Sequence, residues 1–145
     1  MRCVDVNVLI YAHRADAPEH AAYLTWLDEA RRGPEPLAVP TIVSSGFLRI
    51  VTNPRAFERP SPLADALKFL DALHQSPTVV KLLPGERHWS VFEDLCRRVR
   101  ATGNKIPDAY LAALAIEHGC TWISADRGFA GYPDLNWRHP LDDVA

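Results

Sequence analysis

Cysteine is scarce in this chain and unpatterned: Cys3, Cys96 and Cys120 form an odd, scattered set with no CxxC spacing. The expectation is free thiols in a reducing cytoplasm, buried where they fall in apolar strand-like runs. Long apolar runs are missing too. No stretch approaches the roughly 18 apolar residues of a membrane helix, and no basic leader precedes such a run, so a soluble, unexported protein is expected. An excess of basic charge is also absent, the formal net charge being −2. That excludes a uniformly basic nucleic-acid binder, yet local Arg clusters could still touch phosphates around an acidic, cation-holding centre. His13, His20, His74, His88, His118 and His139 show no HExxH or finger-like pairing, which argues against zinc. Neither a P-loop nor GxGxxG occurs, and no ordered Cys/His/Asn pattern supports a thiol nucleophile. Repeats, linkers and low-complexity stretches are absent. With 48% hydrophobic and 23% charged residues, the 145 residues suit one globular domain, 1–145, with a real core.

What is present is an alternation of short apolar runs with helical periodicities. Arg2 to Asp5 reads as a strand, Val6 to His13 as a helical turn or two. Pro18 to Arg32 is helical, with Ala22, Leu24, Trp26, Leu27 and Ala30 at helical spacing and Gly33-Pro34 as the stop. Leu37 to Val39 is a strand, and Thr41 opens a helix that Asn53-Pro54 ends. A loop over 55–61 leads to a helix from Pro62 to His74, then a strand at Val79 to Leu82. Glu86 to Arg100 is amphipathic, Pro107 opens a helix to His118, Cys120 to Ser124 is a strand, and Leu135 to His139 is a candidate last one. This pattern predicts an α/β fold with a parallel sheet covered on both faces.

Three carboxylates sit awkwardly in that scheme. Asp5 follows an apolar strand, where an unpaired charge costs several kcal/mol or takes up a proton; it needs a metal, a helix N-terminus or another donor. Asp126 follows the strand Thr121-Trp122-Ile123-Ser124 and suits an Asx turn or a helix cap. Strand carboxyl ends are also where open α/β sheets gather ligands. Asp108 shares a helix face with Leu111, Ala112 and Ala115, with Glu117 about 180° away. It complements a helix dipole or a metal; the dipole role does not require the apolar side, and a metal explains the placement better.

Four segments, taken together and in order, resemble the motifs of PIN domains: Val4-Asp5-Val6-Asn7-Val8-Leu9-Ile10-Tyr11-Ala12, Gly46-Phe47-Leu48-Arg49-Ile50-Val51-Thr52-Asn53-Pro54, Ile106-Pro107-Asp108-Ala109-Tyr110-Leu111-Ala112-Ala113 and Ser124-Ala125-Asp126-Arg127-Gly128-Phe129. More narrowly they are similar to the VapC toxins of bacterial toxin–antitoxin pairs. The resemblance implies a three-layer α/β/α fold and a ribonuclease using Mg²⁺ or Mn²⁺. It also implies Asp5, Asp108 and Asp126 as catalytic metal ligands, with Asn7 and Ser124 supporting them. A cognate VapB-type antitoxin, an RNA substrate and a homodimer are the implied partners. The residue types agree with that chemistry, since hard divalent ions take oxygen ligands and Mg²⁺ keeps several waters.

The chain departs from the family at Gly46, aligned where PIN domains commonly carry a second acid. Glycine cannot ligate a metal, so one ion is expected, needing Asp5 and Asp108 most. A mid-helix glycine costs about 1 kcal/mol relative to alanine, and close packing or room for substrate are its possible compensations. Arg49, Arg55, Arg59, Arg97, Arg98, Arg100 and Lys105 read as solvated helix faces or as steering groups for RNA phosphates. Trp26 reads as core packing or as part of an exposed stripe for a partner. Two rival functions stand beside the nuclease: a haloacid-dehalogenase-like phosphohydrolase, which would want an Asp where Asn7 stands, and an inactive PIN-like module that only binds RNA or protein.

Overall fold

The computed structural model describes residues 1–142, so positions 143–145 of the expected domain lie outside the described residues. Five short strands form one parallel sheet: β1 (Arg2–Val4), β2 (Leu37–Pro40), β3 (Val79–Leu82), β4 (Thr121–Ile123) and β5 (Trp137–Arg138), in the order β3-β2-β1-β4-β5. The chain steps outward from β1 to β3 and then returns to lay β4 on the other side of β1. That reversal places a topological switch point between β1 and β4, where the carboxyl ends leave a crevice. Cys3, Val4 and all of β2 are buried, which explains why these runs are apolar throughout rather than alternating.

Among the described residues, six α-helices flank the sheet. α1 (Val6–His13) packs on α2 (His20–Arg32) and α3 (Thr41–Val51), α3 packs on α4 (Leu63–His74), and α5 (His88–Val99) packs on α6 (Lys105–Glu117). Helix α6 buries Ala109, Ala112, Ala113, Leu114 and Ala115, and its four alanines suit a helix laid closely on its neighbours. It ends in a Schellman turn: Cys120 N–H donates to Ala115 O at 2.9 Å and Gly119 N–H to Ile116 O at 3.1 Å. Gly119 has φ +64°, which only glycine adopts freely, and the turn feeds the chain directly into β4. No helix among the described residues is long and apolar enough to cross a membrane.

The helices and strands expected from the sequence all form, with shifted ends. The second helix begins at His20 rather than Pro18, because Glu19 takes a left-handed backbone at φ 56°. The helix expected from Pro107 begins at Lys105, leaving the proline in the first turn, where its missing N–H is harmless. On α2 the inward residue is Tyr23, not Ala22, since its ring meets Tyr11 edge-on at 5.0 Å. Trp26 is half-buried against the core with the Arg2 guanidinium 5.6 Å from its ring, as core packing requires. Cys3 and Cys120 are buried free thiols, and Cys96 is a half-buried one.

Candidate functional site

Asp5 leaves the end of β1, donates its N–H to Ile123 O of β4 at 2.9 Å, and caps α1. Its Oδ1 accepts the Val6 N–H at 2.7 Å, so the carboxylate also faces the positive end of the α1 dipole. Its Oδ2 accepts the Ser124 hydroxyl at 2.6 Å and, more distantly, Asn7 Nδ2 at 3.4 Å. Ser124 is fully buried, and its Oγ in turn accepts from Asn7 Nδ2 at 3.2 Å and from Asp126 N–H at 3.0 Å. Asn7 Oδ1 accepts the Ala125 N–H at 3.1 Å. Asn7 and Ser124 thus tie the ends of β1 and β4 together around one carboxylate. Asp126 caps the 3-10 turn Arg127–Gly131 through Gly128 N–H at 2.8 Å, the Asx arrangement expected of it. Asp108 sits in the first turn of α6.

Ser124 is the node of this network, and its truncation has a calculable cost. Ser124→Ala leaves Asp5 Oδ2 and Asp126 N–H without that partner in a buried setting, for a loss of about 2 kcal/mol. Urea unfolding of the metal-free variant is expected to show a lower midpoint at unchanged slope. An unchanged midpoint would mean that water replaces the hydroxyl.

Burial pushes the Asp5 carboxyl up to about 6 against the opposing pull of the Ser124 and Val6 hydrogen bonds, and the negative charges of Asp108 and Asp126 raise it further. Asp108 is raised by burial and then by Asp126. Among the described residues, no Lys, Arg or His forms an ion pair with any of the three. The cleft therefore concentrates uncompensated negative charge at the switch point. Its donors are carboxylate, hydroxyl and amide oxygens, a set that fits a hard divalent cation and not a soft one. Among the described residues, however, no three His, Cys, Asp or Glu side chains close into a ready-made metal cage. The acids act on one another electrostatically, and Mg²⁺ commonly keeps several waters while using one or two carboxylates directly.

The sequence profile of the PIN domain matches residues 2–135. The VapC ribonuclease Mb2897 of Mycobacterium bovis is 54% identical over 142 residues, covering 98% of this chain and 97% of the relative. Ribonuclease VapC25 of Mycobacterium tuberculosis is 42% identical over 140 residues, covering 97% and 99%. This chain is a PIN domain of the VapC family. Among solved structures, VapBC2 from Rickettsia felis bound to a promoter DNA fragment has a TM-score of 0.67 at 15% identity, covering 95% of this chain and 97% of that one. VapC20 of Mycobacterium tuberculosis, described as a Sarcin-Ricin loop cleaving toxin, has a TM-score of 0.63 at 14% identity, covering 93% and 98%. At those identities the likeness concerns the fold.

In this VapC-family chain the remaining candidates separate. Glu117 lies at the far end of α6, its carboxylate accepting Gly85 N–H at 2.8 Å and Arg87 N–H at 3.0 Å. Arg97 pairs with Glu93, and Arg98 with Asp94 and Asp134, so the basic residues of α5 are locally compensated. Arg49 instead lines a cavity with Asp5, and Lys105 lines another with Asp108 and Tyr132. His13, His20, His88 and His118 bond to Ser61 or to backbone carbonyls, in line with packing roles.

Gly46 is not there for close packing. A Cβ built on it would meet only Val6 Cγ2, at 3.8 Å, an ordinary contact. It does line the cavity beside Asp5, with Ile42 and Ile50 one turn away on either side. Open room at Gly46 is one of the two compensations expected of it; the lining by Ile42, Ile50 and Tyr110 was missed in the sequence, although Ile42-Gly46-Ile50 at intervals of four carries the signal.

Proposed function

We propose that this protein is the toxin of a type II toxin–antitoxin pair and acts as a divalent-metal-dependent endoribonuclease. A single PIN domain over the whole chain carries the activity. The observation that supports this reading best is the buried Asp5 carboxylate, held by Ser124 and Asn7 yet uncompensated, in a crevice shared with Asp108 and Asp126. Asp5, Asp108 and Asp126 would hold one Mg²⁺, or Mn²⁺, directly or through water. The relatives named ribonucleases favour RNA as the substrate. Solved structures such as VapBC-1 of Haemophilus influenzae favour a VapB-type antitoxin as partner; a homodimer of the toxin is part of the same proposal.

Bound there, the cation would neutralise charge on the attacked phosphate and make a coordinated water easier to deprotonate. The chain's own part is to hold the donors in place. Ser124 and Asn7 fix the rotation of the Asp5 carboxylate, as hydrogen-bonded neighbours of a ligand do. The Gly128 N–H holds Asp126 Oδ1 and leaves Oδ2 available. Asp108 sits in the first turn of α6, close enough for its charge to act on Asp5.

The test is direct. Purified protein is incubated with mixed cellular RNA and Mg²⁺, with EDTA and Asp108→Asn as controls, and the ends are mapped. Discrete internal cuts that vanish in both controls are expected, and calorimetry should find one divalent site. Cutting that survives EDTA, or phosphate release from small esters in place of RNA cutting, would overturn the reading; two tight ions would overturn the single-ion version.

A further inference from the structure

We propose that the cavity between Gly46, Tyr110 and Asp5 receives one unstacked nucleobase of the RNA strand, next to the phosphate that is cut, and thereby selects the bond. This rests on the ribonuclease reading above and names the part of the substrate that the site reads. The cavity measures about 220 Å³. Pockets for drug-sized ligands run from roughly 300 to 1,000 Å³, so this one has the capacity of a single ring system. Its apolar walls are Val6, Ile42, Ile50 and Leu111. Tyr110 lines it as well, and its ring is fixed, edge-on to His88 at 4.3 Å and to Phe92 at 5.5 Å. A rigid aromatic face among aliphatic side chains is what holds a base drawn out of its stack.

The rim carries the argument from cavity to nucleic acid. Asp5, in the acidic crevice, lines one part of it and Arg49 another. Arg49 is exposed and, among the described residues, has no carboxylate partner. An apolar slot flanked by a free guanidinium complements a base with its phosphate attached; an aliphatic peptide side chain would leave that cation without a counter-charge. Gly46 supplies the depth. Packing does not require glycine there, since an added Cβ meets only Val6 Cγ2 at 3.8 Å, but any longer side chain would occupy the space between Ile42 and Ile50. The helix-weakening residue keeps the slot open.

The experiment starts from a cut site mapped in total RNA and uses synthetic oligoribonucleotides spanning it, each with one abasic position near the cut. For the wild type, one abasic position is expected to lower kcat/KM by about ten- to a hundredfold, the worth of one stacked base. Gly46→Leu, which fills the slot, should lose a similar factor on unmodified RNA and lose nothing more on that abasic substrate. Ile42→Trp fills the slot from an exposed position and should behave alike, which keeps the test valid if Gly46→Leu unfolds. Cutting by the wild type that no abasic position slows, or an abasic penalty undiminished in both variants, would overturn the proposal. So would normal cutting by both variants with weakened binding of the cognate antitoxin, because the slot would then belong to a protein. A wild type that cuts no RNA with Mg²⁺ would instead bring down the ribonuclease reading, and this proposal with it.

Discussion

Asp5→Asn is expected to leave the fold intact, to lower RNA cleavage at saturating Mg²⁺ by at least about a hundredfold, and to raise the melting temperature of the metal-free protein at pH 7. The three outcomes share one cause. Losing a hydrogen-bonded neighbour of a metal ligand typically costs about 10- to 100-fold in affinity or activity, so losing the central carboxylate itself should cost no less. Asparagine is nearly isosteric, and its Oδ1 still accepts the Val6 N–H that caps α1. The Ser124 Oγ already accepts from Asn7 Nδ2 and the Asp126 N–H, so its hydrogen bond to position 5 is weakened, a cost set against the relief of charge. What disappears is a charge held in a buried, like-charged setting. With the folded carboxyl near 6 against an ordinary 3.8, ionising it at neutral pH opposes folding by about 3 kcal/mol, the upper bound on what the substitution can return. Single-turnover cleavage of a mapped site and thermal melts in EDTA measure both halves. A variant that cuts within tenfold of wild type would remove Asp5 from the centre of the chemistry. One that is destabilised would mean the carboxylate is held by contacts more favourable than the repulsion around it.

The carboxylates were legible in the sequence because each violates a local rule. An acid closing an apolar strand, and an acid on the alanine side of a helix, both ask for a partner that the neighbouring residues do not provide. Asp126 was legible only as one of a set, since its Asx geometry with Gly128 is also what an ordinary turn would show. The alternation of strands and helices likewise gave the α/β class. What no local pattern encodes is which strands are neighbours. The Ser124–Asp5 hydrogen bond joins residues 119 positions apart and exists because β4 pairs with β1 rather than with β3. The true face of α2 was hidden for a similar reason: Tyr23 turns inward because Tyr11 of another helix is there to meet it. Gly46 was visible as a departure, but whether its space was filled by packing or left open depends on where α3 sits relative to Val6 and α6.

In the metal-free protein, Asp5 makes stability fall as pH rises from about 4 to about 6, and a divalent cation reverses the loss. The sign follows from the proton count. Between the ordinary carboxyl value of 3.8 and the folded value of about 6, the folded chain keeps a proton on Asp5 that the unfolded chain has released. Raising the pH therefore favours unfolding across that window, with the contribution, again about 3 kcal/mol, fully lost above it. Asp108 acts in the same direction, its carboxyl raised by burial and by Asp126. His13 and His74 oppose it: burial lowers both, so each adds stability as pH rises up to the ordinary imidazole value, and the gain is complete above it. Asp16 and Asp142, themselves exposed and lowered by hydrogen bonds from Arg14 and Arg127, gain theirs below the window. The informative quantity is therefore the wild-type profile minus that of Asp5→Asn, from urea midpoints in EDTA. That difference should decline between pH 4 and 6 and then level off. Excess Mg²⁺ should lift the wild type strongly at pH 7.5, by about 2.7 kcal/mol at a hundred times its Kd, and little at pH 5, where the proton already occupies the ligand. A difference profile that instead rose across the same window would mean that the protein neutralises Asp5 by itself and that the crevice has no need of a cation.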